Sequence, residues 1–134
     1  FKSFMSKVLK RSNCRFFLMT GNNIDELKIM DEIIESEYKE YCTPLNNFTI
    51  KEILPIIPNC QIAICNDSSF SHLSAGLGIK TIVLMVDTPL IYGSYNKNMY
   101  PILPEGETNV THDTLGKDKI NPEEIYNNFK KLLG

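Results

Sequence analysis

The feature that most constrains this chain is a set of three short apolar runs spaced between helix-like patterns. They are residues 15–20 (RFFLMT), 61–65 (QIAIC) and 80–86 (KTIVLMV). None alternates polar and apolar as a half-exposed strand would. The longest uninterrupted apolar stretch, residues 82–86, is far too short to span a bilayer. Strands this uniformly apolar are expected to be covered on both faces. Alternating with helices, they imply a parallel sheet flanked by helices. The right-handed crossover preference leaves few topologies. The expected fold is therefore α/β, a Rossmann-like three-layer α/β/α arrangement with a parallel sheet.

The segments between the runs support this order. Residues 1–12 read as a helix with Phe4, Val8 and Leu9 on one face. Residues 24–38 read as a helix with an apolar stripe of Leu27, Met30, Ile33 and Ile34, and with acids in the first turn, where the dipole favours them. Residues 41–47 contain Pro44 and two asparagines and read as a loop. Thr49-Ile50-Lys51-Glu52 is a capping-box pattern, and Pro55 and Pro58 keep the helix after it short. Residues 69–77 read as a short helix closed by Gly78. Residues 87–106 read as a long loop with a short strand near Ile102. Asn121-Pro122-Glu123-Glu124 opens a last helix with Ile125, Phe129, Leu132 and Leu133 on its apolar face.

Bulk properties narrow the function classes. A chain of 134 residues suffices for one domain with a single core. The net charge of −2, with fourteen scattered Lys and Arg, carries no footprint for nucleic acid and no polybasic membrane patch. Cys14, Cys42, Cys60 and Cys65 have no zinc-site spacing and are expected to be reduced structural thiols, which suits a cytoplasmic location. The chain begins at Phe1 rather than Met, which leaves open both a natural short protein and one part of a longer one.

The densest polar cluster, Asn66-Asp67-Ser68-Ser69-Phe70-Ser71-His72, lies where the second strand turns into a helix. Ligands of parallel sheets bind beyond the carboxyl ends of the strands. Free amides in the first turn, at Ser69, Phe70 and Ser71, together with the helix dipole favour an anion. Ser68 can cap the helix or bond a phosphate oxygen. Phe70, Leu73 and Leu77 should face the core, with Ser69, His72 and Gly76 on a second stripe. A protonated His72 suits a phosphate, whereas Asp67 would repel one and suits sugar hydroxyls or a cap. A capping sequence with a satisfied histidine is the competing structural reading. No Walker loop, GxGxxG fingerprint or GxSxG elbow occurs. His112 reads as a solvated loop histidine; Tyr92, Tyr95 and Tyr100 either shield a cleft or pack a loop.

The order of these motifs resembles glycosyltransferase family 9, the heptosyltransferase-like group. Phe48-Thr49-Ile50-Lys51-Glu52, QIAIC, Asn66-Asp67-Ser68-Ser69-Phe70-Ser71-His72-Leu73-Ser74-Ala75-Gly76-Leu77-Gly78, KTIVLMV and Asp87-Thr88-Pro89 follow the family's sequence of helix, strand, Asp-Thr-Gly-x-x-His motif, strand and Gly-Pro-Thr turn. Tyr92-Gly93-Ser94-Tyr95 and the opening of the last helix extend the likeness.

The resemblance implies one half of a GT-B fold, the carboxyl-terminal half that holds a nucleotide sugar. It implies donor-sugar contacts for Asp67 and diphosphate contacts for Ser68, Ser69 and His72. Phe48 and Gly21 would line the base pocket, and Thr88 is a cleft candidate. The catalytic base and the acceptor surface would lie in an amino-terminal domain absent from this chain. The implied chemistry is inverting transfer of a sugar, heptose among the candidates, to a lipopolysaccharide-type or other glycan acceptor. It needs no obligatory metal or cofactor, and the full protein would sit in the cytoplasm or at the inner face of the membrane as a peripheral protein. Two departures stand out: Ser69 replaces the motif's glycine, and Asp87 adds a negative charge to the Gly-Pro-Thr turn. A non-catalytic Rossmann-like module for nucleotides or phosphometabolites is the alternative, and another GT-B enzyme such as a nucleotide-sugar epimerase is a third reading.

Overall fold

A computed structural model describes residues 1–134. The chain divides into two compact units, Phe1–Leu54 and Pro55–Gly134. All strand pairing in both is parallel.

The first unit contains α1 (Lys2–Leu9), β1 (Phe16–Leu18), α2 (Ile24–Ile34), β2 (Cys42–Pro44) and α3 (Ile50–Ile53). β1 and β2 form a two-stranded sheet in the register Phe16↔Cys42, Phe17↔Thr43 and Leu18↔Pro44. Two expectations need correction here. The first apolar run forms only a three-residue strand, and Phe17 is 44% exposed rather than buried. Residues 42–44, expected as loop, form its partner strand. Pro44 is tolerated because it ends the strand, where a missing donor breaks no ladder. The Leu45 N–H takes up the next bond, to the Leu18 carbonyl at 2.8 Å.

α2 begins as expected: the Asn23 side chain caps it by accepting from the Glu26 N–H at 2.9 Å. It ends at Ile34 rather than residue 38. Both the backbone N–H and the hydroxyl of Ser36 donate to the Ile33 carbonyl, which tightens and closes the last turn. Thr49 and Glu52 form the expected capping box at α3, with the Thr49 N–H donating to Glu52 Oε2 at 2.8 Å.

The second unit contains β3 (Ile62–Asn66), α4 (Ser69–Gly76), β4 (Lys80–Leu84), β5 (Met99–Ile102) and α5 (Pro122–Leu133). The sheet order is β3-β4-β5. Central β4 is buried at every position from Thr81 to Leu84, so both of its faces are covered. α4 and α5 each pack on β3 and β4. Helices laid on a parallel sheet buried on both sides make the unit Rossmann-like α/β. β3 itself is only half-buried, less covered than its composition suggests.

Where α4 turns into β4, Gly78 has φ +88°. The Gly78 N–H donates to the Ala75 carbonyl and the Ile79 N–H to the Ser74 carbonyl. These two bonds are the Schellman closure that a left-handed glycine permits. The buried stripe of α4 is not Phe70, Leu73 and Leu77, since Leu77 is 40% exposed. It is Ser71, Ser74 and Ala75, whose small side chains let the helix approach the sheet closely. Ala75 joins Val83, Met85, Met99 and Val110 in the core of the unit. On α5 the buried pair is Ile125 and Tyr126, while Leu133 is exposed.

Candidate functional site

β3 ends at Asn66, opposite Leu84 at the end of β4, and α4 starts three residues later. Residues 66–69 therefore occupy the carboxyl rim of the sheet. Ser68 is the N-cap residue, with extended backbone. Its N–H donates to Ser71 Oγ at 3.2 Å, and the Ser71 hydroxyl donates back to the Ser68 carbonyl at 2.7 Å. The Ser71 N–H also goes to that carbonyl, at 3.0 Å. The Ser71 amide, expected to be open, is thus occupied by the protein. The Ser69 and Phe70 amides keep no partner within the chain, as the first donors of a helix do.

His72 stands one turn further along α4. Its Nδ1 lies 2.7 Å from the Tyr95 hydroxyl, and the two rings stack with centroids 5.6 Å apart and planes at 21°. Its Nε2 lies 3.5 Å from Asp67 Oδ1. That approach is within ion-pair reach but is not a hydrogen bond: Oδ1 is buried and finds no donor in the chain. The Asp67 side chain is only 12% exposed, whereas that of His72 is 38% exposed. A buried carboxylate oxygen without a donor is costly and uncommon.

The structure therefore brings Asp67, Ser68, Ser69 and His72 together on one short turn and adds Tyr95, which sequence reasoning left undecided between shielding and packing. The signal for Tyr95 was the Tyr-Gly-Ser-Tyr stretch; nothing local linked it to His72, 23 residues away. Both ring nitrogens of His72 face protein groups, so a bond from His72 to a ligand requires exchange of one partner. The longer approach, to Asp67, is the one more readily exchanged.

Thr88 is half-buried in the loop after β4, and Asp87 beside it is exposed. Gly21 and Phe48 belong to the first unit. The Gly21 N–H is taken by the Glu26 carboxylate, which also accepts from the Asn23 side chain, so this loop satisfies its own donors. Phe48 is 47% exposed on the turn after β2. All four cysteines are unpaired. Burial pushes the Cys65 thiol up to about 12. No helix is long and apolar enough to cross a membrane.

Parallel pairing, helices laid on a doubly covered strand and a polar turn at the sheet rim define a Rossmann-like α/β protein. The model of the family described as glycosyltransferase family 9 (heptosyltransferase) matches residues 3–119. The chain belongs to this family of GT-B glycosyltransferases. No curated protein and no solved structure matches it.

Proposed function

We propose that this chain is the donor-binding half of an inverting glycosyltransferase, with a nucleoside diphosphate sugar as donor. The observation that carries the reading is the turn from Asp67 to His72. Two unbonded amides, a buried carboxylate oxygen lacking a donor and a partly exposed imidazole converge there. The Ser69 and Phe70 amides and the end of the α4 dipole receive diphosphate oxygens, with Ser68 and Ser69 hydroxyls at the same edge. His72 Nε2 exchanges Asp67 for a phosphate oxygen. Asp67, released, accepts hydrogen bonds from sugar hydroxyls.

An acceptor hydroxyl then attacks the anomeric carbon from the face opposite the diphosphate as a general base removes its proton. The C–O bond to the diphosphate breaks, and the leaving charge is met by the amides and by His72. No resident metal or cofactor is required for these roles. The base and the acceptor surface belong to a second domain. Thr88, half-buried in the loop after β4, is the second unit's further candidate for the donor cleft. The acceptor is a lipopolysaccharide-type or other glycan, and the whole protein works in the cytoplasm or at the inner face of the membrane.

The test is a binding screen of ADP-, GDP- and UDP-linked sugars against the wild type, Asp67→Ala and His72→Ala. Asp67→Ala should lose discrimination between a nucleoside diphosphate and its sugar conjugate. His72→Ala should weaken every diphosphate by about tenfold, the scale of one charge-assisted hydrogen bond. Equal affinity in all three proteins would remove the reading.

A further inference from the structure

We infer that Tyr95 is a positioning residue of the diphosphate site. Its hydroxyl donates to His72 Nδ1 and holds the imidazole with Nε2–H turned toward Asp67 and an incoming phosphate. This rests on the donor-site reading above and deepens it.

The argument follows from what each partner can do. Asp67 Oδ1 approaches Nε2 at 3.5 Å without bonding to it, and a carboxyl oxygen, which accepts, favours hydrogen on the nitrogen that faces it. In the neutral ring Nδ1 then offers a lone pair, and at 2.7 Å the only group it meets is the Tyr95 hydroxyl. With the hydrogen on Nε2, Tyr95 is the donor. A ring flip would set carbon atoms against both the hydroxyl and the carboxylate, and the stacked Tyr95 ring restrains such a turn. Direction is thus imposed along the row Tyr95–His72–Asp67. A phosphate oxygen that replaces Asp67 at Nε2 finds the hydrogen already on that nitrogen and the ring already held, so less side-chain ordering opposes binding.

Tyr95 is 57% exposed, so the core has little claim on its position. Its ring contact and its hydrogen bond both go to His72.

The experiment compares the full chain with Tyr95→Phe, which keeps the stacked ring and removes the hydroxyl. Imidazole nitrogen NMR is recorded at about pH 8.5, ~2 units above the ordinary histidine value. In the wild type His72 should be protonated at Nε2, with the Nδ1 resonance displaced from its unbonded position. Tyr95→Phe should lose that displacement, keep the wild-type thermal midpoint and bind ADP about three- to tenfold more weakly. An Nδ1 resonance at the unbonded position in the wild type, or unchanged in the variant, overturns the inference while ADP binding still supports the site. A lost displacement with unaltered ADP affinity makes the bond merely structural and also overturns it. Failure of the wild type to bind ADP, with the Nδ1 displacement intact, instead sinks the donor-site reading and the ligand role built on it.

Discussion

Gly93 lies so close to the Met85 thioether that a Cβ at position 93 would overlap Sδ and crowd Cγ and Cε. Met85 is fully buried among core side chains, so any shift of its thioether must be taken up by its neighbours. The contact seats the short helical turn Leu90–Gly93 on the core, and Tyr95 leaves that turn two residues later to reach His72.

Gly93→Ala is therefore expected to act at a distance. Overpacking should cost about 1–3 kcal/mol, read as a lower urea midpoint with an unchanged slope. The displaced turn should also withdraw Tyr95, which abolishes the Nδ1 displacement of His72. Wild-type stability in this variant would mean that the turn is not seated as described.

Ser71→Ala tests the turn that shapes the anion site. Ser71 is fully buried, and its hydroxyl serves both the N–H and the carbonyl of Ser68. Its loss should cost about 1–2 kcal/mol, the usual scale for a removed cap. ADP affinity should fall as well, because the Ser69 and Phe70 amides lose their fixed direction. Calorimetric unfolding and ADP titration of the same sample read both effects, and an unchanged unfolding temperature would show that Ser71 carries no cap.

Stability should decline in strong base. The Cys65 thiol is raised from 9.0 to about 12 in the folded chain because burial disfavours the thiolate. Above pH 9 the unfolded chain has lost a proton that the native one keeps. Stability is then full below about pH 9 and falls as pH rises toward about 12. Cys60 and Cys42 are shifted in the same direction, chiefly by burial. Urea midpoints from pH 8 to 11 should fall steeply in the wild type and less so in Cys65→Ala. In native protein Cys65 should react slowly with disulfide reagents, at a rate set by opening. Rapid modification at neutral pH would contradict this.

Much of the fold was legible because its signals are local. The Thr49–Glu52 box, the Asn121 cap and the Gly78 closure each join residues within a few positions, so residue type and spacing suffice. The strand at 42–44 was not legible. Three residues ending in proline carry no strand signal, and they are a strand only because Phe16–Leu18 lies beside them. The buried stripe of α4 was misjudged for a related reason. Hydrophobicity pointed to Phe70, Leu73 and Leu77, but close approach to the sheet selects the smallest side chains.

The candidate site divides along the same line. By itself the sequence determined that Asp67, Ser68, Ser69 and His72 share one strand-to-helix turn, because a helix start forces neighbours in sequence to be neighbours in space. Only the tertiary structure decided that the Ser71 amide is closed, that an Asp67 oxygen is buried without a donor and that Tyr95 stacks on His72. Those facts depend on burial and on the path of a distant loop across the sheet rim, and no local spacing encodes either.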